Sequence, residues 1–226
     1  MVRTQQSRGP HRSFWQACGM DGDRRVEWPV RSRRVLGVGA ISSFVEEAVV
    51  APTGELLRRQ FLTHPGAVAV VAWNQADDTI AVVRQYRHPV RAELVEIPAG
   101  LLDVEGEDYQ LAAARELREE AQLKAERWNV LVDIFTTPGA NAETLRVFLA
   151  RDLEAAPVPD GFVAEGEEAS MTTSFVPRDE LVRGILAGEL QSPSLVAGVL
   201  ALQVAILSGT LDELRGPDAP WEARER

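Results

Sequence analysis

Residues 100–123 read GLLDVEGEDYQLAAARELREEAQL, and the second half of this stretch decides the fold. Its alanines, leucines, glutamates and arginines, with no proline or glycine after Gly106, predict a helix over 109–122. At 100° per residue, Glu116, Glu119 and Glu120 fall within an arc of roughly 100° on one face of that helix. Ala113, Ala114, Leu117 and Ala121 fill the adjacent arc, so the acidic face borders the buried stripe and favours a cleft. Like charges at these spacings cost an isolated helix a few tenths of a kcal/mol per pair unless a cation offsets them. Magnesium or manganese would do so, because hard divalent ions prefer oxygen ligands. Taken alone, the three glutamates are better explained as a solvated surface helix with Arg115 and Arg118 as ion partners.

Working outward, short strands are expected at 94–97 before the helix and at 130–135, 144–150 and 171–176 after it. Residues 67–73 and 79–86, rich in Val and Ala and separated by the polar 74–78, read as a buried hairpin. Two more helices are expected at 178–187, after Pro177, and at 193–208, closed by Gly209. A mixed sheet with helices on its faces is the simplest packing, which makes the class α/β. Ahead of it, β-rich runs at 41–50 and 56–62, joined by Pro52, Thr53 and Gly54, form a small antiparallel appendage. The domain reading is a disordered tail at 1–24, an N-terminal β domain at 25–64, the main domain at 65–209, and a flexible C-terminal tail at 210–226.

Composition bounds the partners. The chain has 226 residues, 45% of them hydrophobic, which is enough apolar content for a core. Its 34 acidic and 24 basic residues leave a net charge of −10, which disfavours general binding to nucleic acid or to an anionic membrane. Eight arginines within residues 1–40 form a basic arm, read here as a solvated tail. Cys18 is the single cysteine, so neither an intrachain disulfide nor a cysteine-rich metal site is possible. The longest nearly apolar run, 195–207, is shorter than the roughly 20 residues of a membrane span, and the first residues lack a secretory pattern. A cytoplasmic enzyme is the expectation. Gly37-Val38-Gly39 has no helix after it and is no dinucleotide motif, and His64 and His88 lack partners at metal-ligand spacing.

With its flanks, the stretch Gly100 to Glu107 followed by Arg115-Glu116-Leu117-Arg118-Glu119-Glu120-Ala121-Gln122-Leu123 resembles the Nudix box. It departs twice: one residue is inserted before Glu107, and Gln122 stands where the family has a helix-ending glycine. A glutamine in the left-handed conformation costs about 1 kcal/mol or more, so a weakened or shifted helix end is expected. Residues 26–208 resemble bacterial ADP-ribose pyrophosphatases of the actinobacterial type. The markers are His64 to Val68, Val83 to Pro89, Glu96 to Gly100, Thr137-Pro138-Gly139, and Glu167-Glu168-Ala169. The resemblance implies a Nudix α/β/α sandwich and an N-terminal β domain exchanged between the protomers of a homodimer.

It also implies metal-dependent hydrolysis of ADP-ribose or a related nucleoside diphosphate sugar. The alternatives are another nucleoside diphosphate-linked substrate, or a non-catalytic nucleotide-binding module. By the same resemblance, Glu116, Glu119, Glu120 and the carbonyl of Ala99 hold Mg²⁺ or Mn²⁺. Gly100, Glu107 and Arg115 are structural within the box. Arg87, Arg59 and Glu96 bind substrate, Arg59 coming from the exchanged domain. The water-activating base is Glu167, with Glu168 and Glu165 as alternatives, in a loop where Ser170 replaces a usual acidic residue. No aromatic residue stands near Ala40 and Ile41 to stack on adenine, so Trp28 or Phe44 would have to serve.

Overall fold

The computed structural model describes residues 22–159 and 171–224. Among these, β1 (Val30–Val38), β2 (Ser43–Val50) and β3 (Leu56–Leu62) form an antiparallel sheet in that order. A second sheet comprises β4 (Ala67–Asn74), β5 (Thr79–Arg87), β6 (Ala92–Glu96), β7 (Ala99–Leu101), β8 (Leu123–Phe135), β9 (Thr144–Ala155) and β10 (Thr172–Pro177). Its order is β10-β5-β4-β9-β8, with β6 beside β5 and β7 beside β4. The pair β4–β9 is parallel, with Ala67 opposite Leu145 and Ala72 opposite Ala150, and the other pairs are antiparallel. The helices are α1 (Tyr109–Ala121), α2 (Arg178–Leu186) and α3 (Pro193–Ser208).

Strand periodicity sorts the core into two layers. Ala67, Ala69, Val71 and Trp73 point to one face and pack with Leu181 of α2 and Leu195, Val199 and Leu202 of α3. Val68, Val70 and Ala72 point to the other and meet Ala112, Ala113 and Leu117 of α1, with Trp128 and Phe148. The expected α/β/α sandwich with a mixed sheet, preceded by a small antiparallel sheet, is therefore the architecture. Gly198 lets α3 lie close to the sheet, since a Cβ there would stand 2.7 Å from Val71 Cγ2. Leu117, with no exposed surface, fixes α1 in place, and truncating such a side chain to alanine costs about 2–5 kcal/mol.

A polar lock joins the β4–β5 turn to α2. Asp78, at φ 56°, accepts from Trp73 Nε1 at 2.9 Å and from Arg178 Nε and Nη2 at 2.9 and 2.6 Å. The Arg178 hydrogen bonds, helped by Trp73, hold the Asp78 carboxyl below its ordinary value.

Four segments differ from expectation. β1 was not foreseen, because its run VRSRRVLGV is exposed throughout and shows no alternation of burial. β8 starts at Leu123, seven residues before the expected 130, and β7 pairs with β4 where a loop was expected. Residues 211–224 are packed against the main domain and do not form a free tail. Arg215 O accepts from Val130 N at 3.0 Å, and Trp221 is 3% exposed. Of the expected N-terminal tail, residues 22–24 are exposed coil and 1–21 lie outside the described residues.

Candidate active site

Asp108 starts α1 by accepting from Gln110 N and Leu111 N at 2.8 and 3.2 Å. The helix then carries its acidic face to the mouth of a cavity of about 710 Å³. Glu116, Glu119, Glu120 and Arg115 line that cavity together with Ala99 and Gly100 of β7, Glu96 of β6, and Gln85 and Arg87 of β5. At the far end Gln122 adopts φ 53° and ψ 40°, the left-handed conformation, and its N–H reaches Arg118 O at 3.1 Å. The glutamine thus closes α1 in the left-handed conformation that the resemblance expects of a glycine.

Arg115 organises the acidic face. Its Nε and Nη2 reach Glu107 Oε1 and Oε2, both at 3.1 Å, while Nη1 reaches Glu116 Oε1 at 2.6 Å and Glu119 Oε2 at 3.2 Å. The hydrogen bonds to Glu107, reinforced by Glu116, push the guanidinium pKa above its ordinary value, so Arg115 stays charged. Glu120 Oε2 accepts from Ala99 N at 2.9 Å, which ties the helix to β7. Gly100 leaves room for Glu116: a Cβ there would stand 2.0 Å from Glu116 Cδ, so the carboxylate would have to move. Among the described residues no three acidic, histidine or cysteine side chains converge on one point. The donor set is nevertheless all carboxylate and carbonyl oxygen, the kind a hard divalent ion takes.

Opposite α1, Arg87 and Glu96 form a two-pronged pair, Nε to Oε1 at 3.1 Å and Nη2 to Oε2 at 2.6 Å, with Glu96 5% exposed. The buried carboxylate holds the guanidinium in one orientation in the cavity wall.

A family comparison matches the NUDIX domain to residues 63–195. The chain belongs to the Nudix family. The ADP-ribose pyrophosphatase of Mycobacterium tuberculosis (strain ATCC 25618 / H37Rv) is 43% identical over 190 residues, 84% of this chain and 89% of that protein. The ADP-ribose pyrophosphatase of Bacillus subtilis (strain 168) is 36% identical over 127 residues, 56% of this chain and 67% of its own length. A crystal structure of an ADP compounds hydrolase superposes with a TM-score of 0.65 at 16% identity, covering 84% of this chain and all of that one, which bears on the fold. The chain is thus a Nudix hydrolase similar to ADP-ribose pyrophosphatases.

Of the residues foreseen from sequence, the Nudix fold brings Ala99, Gly100, Glu116, Glu119, Glu120, Arg115, Arg87 and Glu96 to one cavity, with Glu107 behind Arg115. Arg59 is not among them. It is exposed on β3, and its guanidinium donates to Arg58 O at 3.0 Å. Trp28 and Phe44 do not line the cavity either, though Ile41 does. Glu165, Glu167, Glu168 and Ser170 lie outside the described residues. The segment that holds them is flanked by anchors to α1: Arg118 Nε donates to Pro157 O at 2.7 Å and Thr173 Oγ1 to Glu120 O at 2.8 Å.

Sequence reasoning missed seven polar residues of the cavity wall, His64, Gln85, Asp103, Thr136, Glu143, Ser192 and Ser194. His64 Nδ1 accepts from Gly66 N at 3.1 Å, so a neutral ring carries its proton on Nε2, which stands 3.6 Å from Glu143 Oε1. The markers at His64 and Thr137 flagged these neighbourhoods, but the ring's partner lies 79 residues away in sequence and has no local signature.

Proposed function

We propose that this chain is a metal-dependent Nudix pyrophosphatase that hydrolyses the diphosphate of ADP-ribose, or of a closely related nucleoside diphosphate sugar. The products are a nucleoside monophosphate and a sugar phosphate. The observation that carries the reading is that the carboxylates of α1 and the Arg87–Glu96 pair line one cavity. The similarity to ADP-ribose pyrophosphatases narrows the substrate.

Glu116, Glu119, Glu120 and the Ala99 carbonyl are the residues that would hold Mg²⁺ or Mn²⁺. A bound ion of this kind neutralises diphosphate oxygens and makes a coordinated water more acidic. Arg115 keeps the carboxylates oriented through Glu107. Arg87 binds a diphosphate oxygen, and Glu96 fixes the direction from which it does so. Glu167, with Glu168 as neighbour, accepts the proton of the attacking water from the segment that Pro157 and Thr173 tether to α1. The small sheet at 25–64 is exchanged between two copies in a homodimer, with Arg59 serving the partner's site. The enzyme is cytoplasmic and uses neither nucleic acid nor a membrane as partner. No helix among the described residues is long and apolar enough to cross a bilayer.

The test is to incubate purified protein with Mg²⁺ and a panel of nucleoside diphosphate sugars and to identify the phosphorus-containing products. AMP and a sugar phosphate from ADP-ribose are expected. No cleavage of any member of the panel would sink the reading.

A further inference from the structure

We propose that residues 215–224 form a positioning strap for the Nudix helix, in which Trp221 and Arg224 set where α1 begins and so where Glu107, Arg115 and Glu116 stand. The proposal rests on the reading of the cavity as the site of diphosphate cleavage. Its starting point is Arg146 of β9, which has no exposed surface. A buried guanidinium is tolerated only when its donors are matched. Here Asp133 takes Nε and Nη2 at 2.7 and 3.0 Å, and the strap supplies two more acceptors, Ala219 O at 2.7 Å from Nη1 and Pro220 O at 3.0 Å from Nη2. Trp221 then covers the same group, its ring centroid 4.8 Å from the guanidinium carbon.

The strap reaches the start of the Nudix helix from this anchor. Trp221 meets Tyr109, the first residue of α1, edge to face at 5.1 Å and 85°. Arg224 lies 5.6 Å from the Tyr109 centroid and donates from Nη1 to Pro65 O at 2.5 Å and Thr144 Oγ1 at 3.3 Å. The guanidinium sits where Gly66 has no side chain, since a Cβ there would stand 2.0 Å from Nη1. Gly66 O in turn accepts from Leu102 N at 3.0 Å. The strap therefore touches both ends of the loop between β7 and α1, Leu102 through Gly66 and Tyr109 directly. Glu107 lies inside that loop, two residues before Tyr109, and holds Arg115 by two hydrogen bonds. A displaced Tyr109 carries Glu107 with it, and Arg115 then no longer orients Glu116 and Glu119.

Full-length Trp221→Ala, Trp221→Phe and Arg224→Ala decide the matter. ADP-ribose hydrolysis is followed against Mg²⁺ concentration, and amide hydrogen exchange is followed across 107–121. Residues that support metal ligands from behind contribute about 10–100-fold to affinity or rate. Both alanine variants are expected to lower kcat about tenfold or more and to need more Mg²⁺ for half activity, with KM for ADP-ribose within about threefold of the parent. Exchange at 107–113 should quicken in both. Trp221→Phe keeps an aromatic edge on Tyr109 and should recover most of the rate. Parental kcat and Mg²⁺ midpoint in either alanine variant overturn the proposal, and if Trp221→Ala does not fold, Arg224→Ala decides alone. A parent that never cleaves ADP-ribose sinks the functional reading instead. The strap is then judged by exchange, and unchanged rates at 107–113 in Arg224→Ala overturn it.

Discussion

Gln122 shows how a single residue can depart from a motif without moving the chemistry. The left-handed φ and ψ that close α1 are kept, and Gln122 O accepts from Ala156 N at 2.8 Å, so the turn is held from both sides. The strain falls on stability. Replacing a side-chain-bearing residue in this conformation with glycine relieves about 1 kcal/mol. Gln122→Gly is therefore expected to raise the denaturant midpoint by that equivalent with kcat unchanged, and a lower midpoint would refute it. Gly100 sits under the opposite constraint. Its backbone is ordinary, and what it must leave open is the space taken by Glu116.

At the scale of elements, two polar locks join parts of the main domain. Asp78 holds α2 to the β4–β5 turn through Arg178, and because its folded pKa is lowered, the contribution is complete above the unfolded value near 4 and vanishes as pH falls through the folded value. Asp78→Asn should thus destabilise the protein at pH 6, and the gap to the parent should narrow as pH falls below the unfolded value near 4 in urea titrations. A gap that is constant from pH 6 to pH 3 would show that the carboxylate's charge is not what matters. The second lock ties the ends of the segment bearing Glu167 to the last turns of α1. If that glutamate takes the water's proton, Glu167→Gln costs roughly 100-fold in kcat with little change in KM. An equal loss confined to Glu168→Gln would move the role one residue along. These elements were legible where an apolar run or a helical period is bounded by turn residues, as in β4, α1 and α3. β1, with arginines and valines exposed alike, gave no period to read. Nor did the strap, whose hold depends on one tryptophan among Gly, Pro and Asp, and on Arg146, a residue that composition alone assigns to the surface. The carboxylates were legible because a helix fixes their spacing, whereas the His64–Glu143 approach is made only by tertiary folding.

The whole molecule poses one further problem, since the N-terminal sheet leaves Val30, Val35, Val38, Ile41 and Leu56 exposed, Val38 by 81%. Exposed apolar strand residues of this kind are what the proposed exchange between two copies would cover. Arg59 stands on that sheet and outside the cavity of its own chain. If two copies exchange these sheets, the Arg59 of each chain acts at the site built by the other's α1. A mixed dimer of Arg59→Ala and Glu120→Gln then carries both defects in one site and none in the other. Glu120→Gln alone should be nearly inactive, because an amide oxygen cannot replace an anionic ligand, and Arg59→Ala alone should be impaired. Mixing the two in equal amounts after unfolding and refolding together makes half of the dimers mixed, each with one intact site. Activity should then recover to about a quarter of the parental value. Recovery no greater than the average of the two single variants, or a monomeric mass for the active parent in light scattering, would place Arg59 outside the catalytic unit and end the case for exchange.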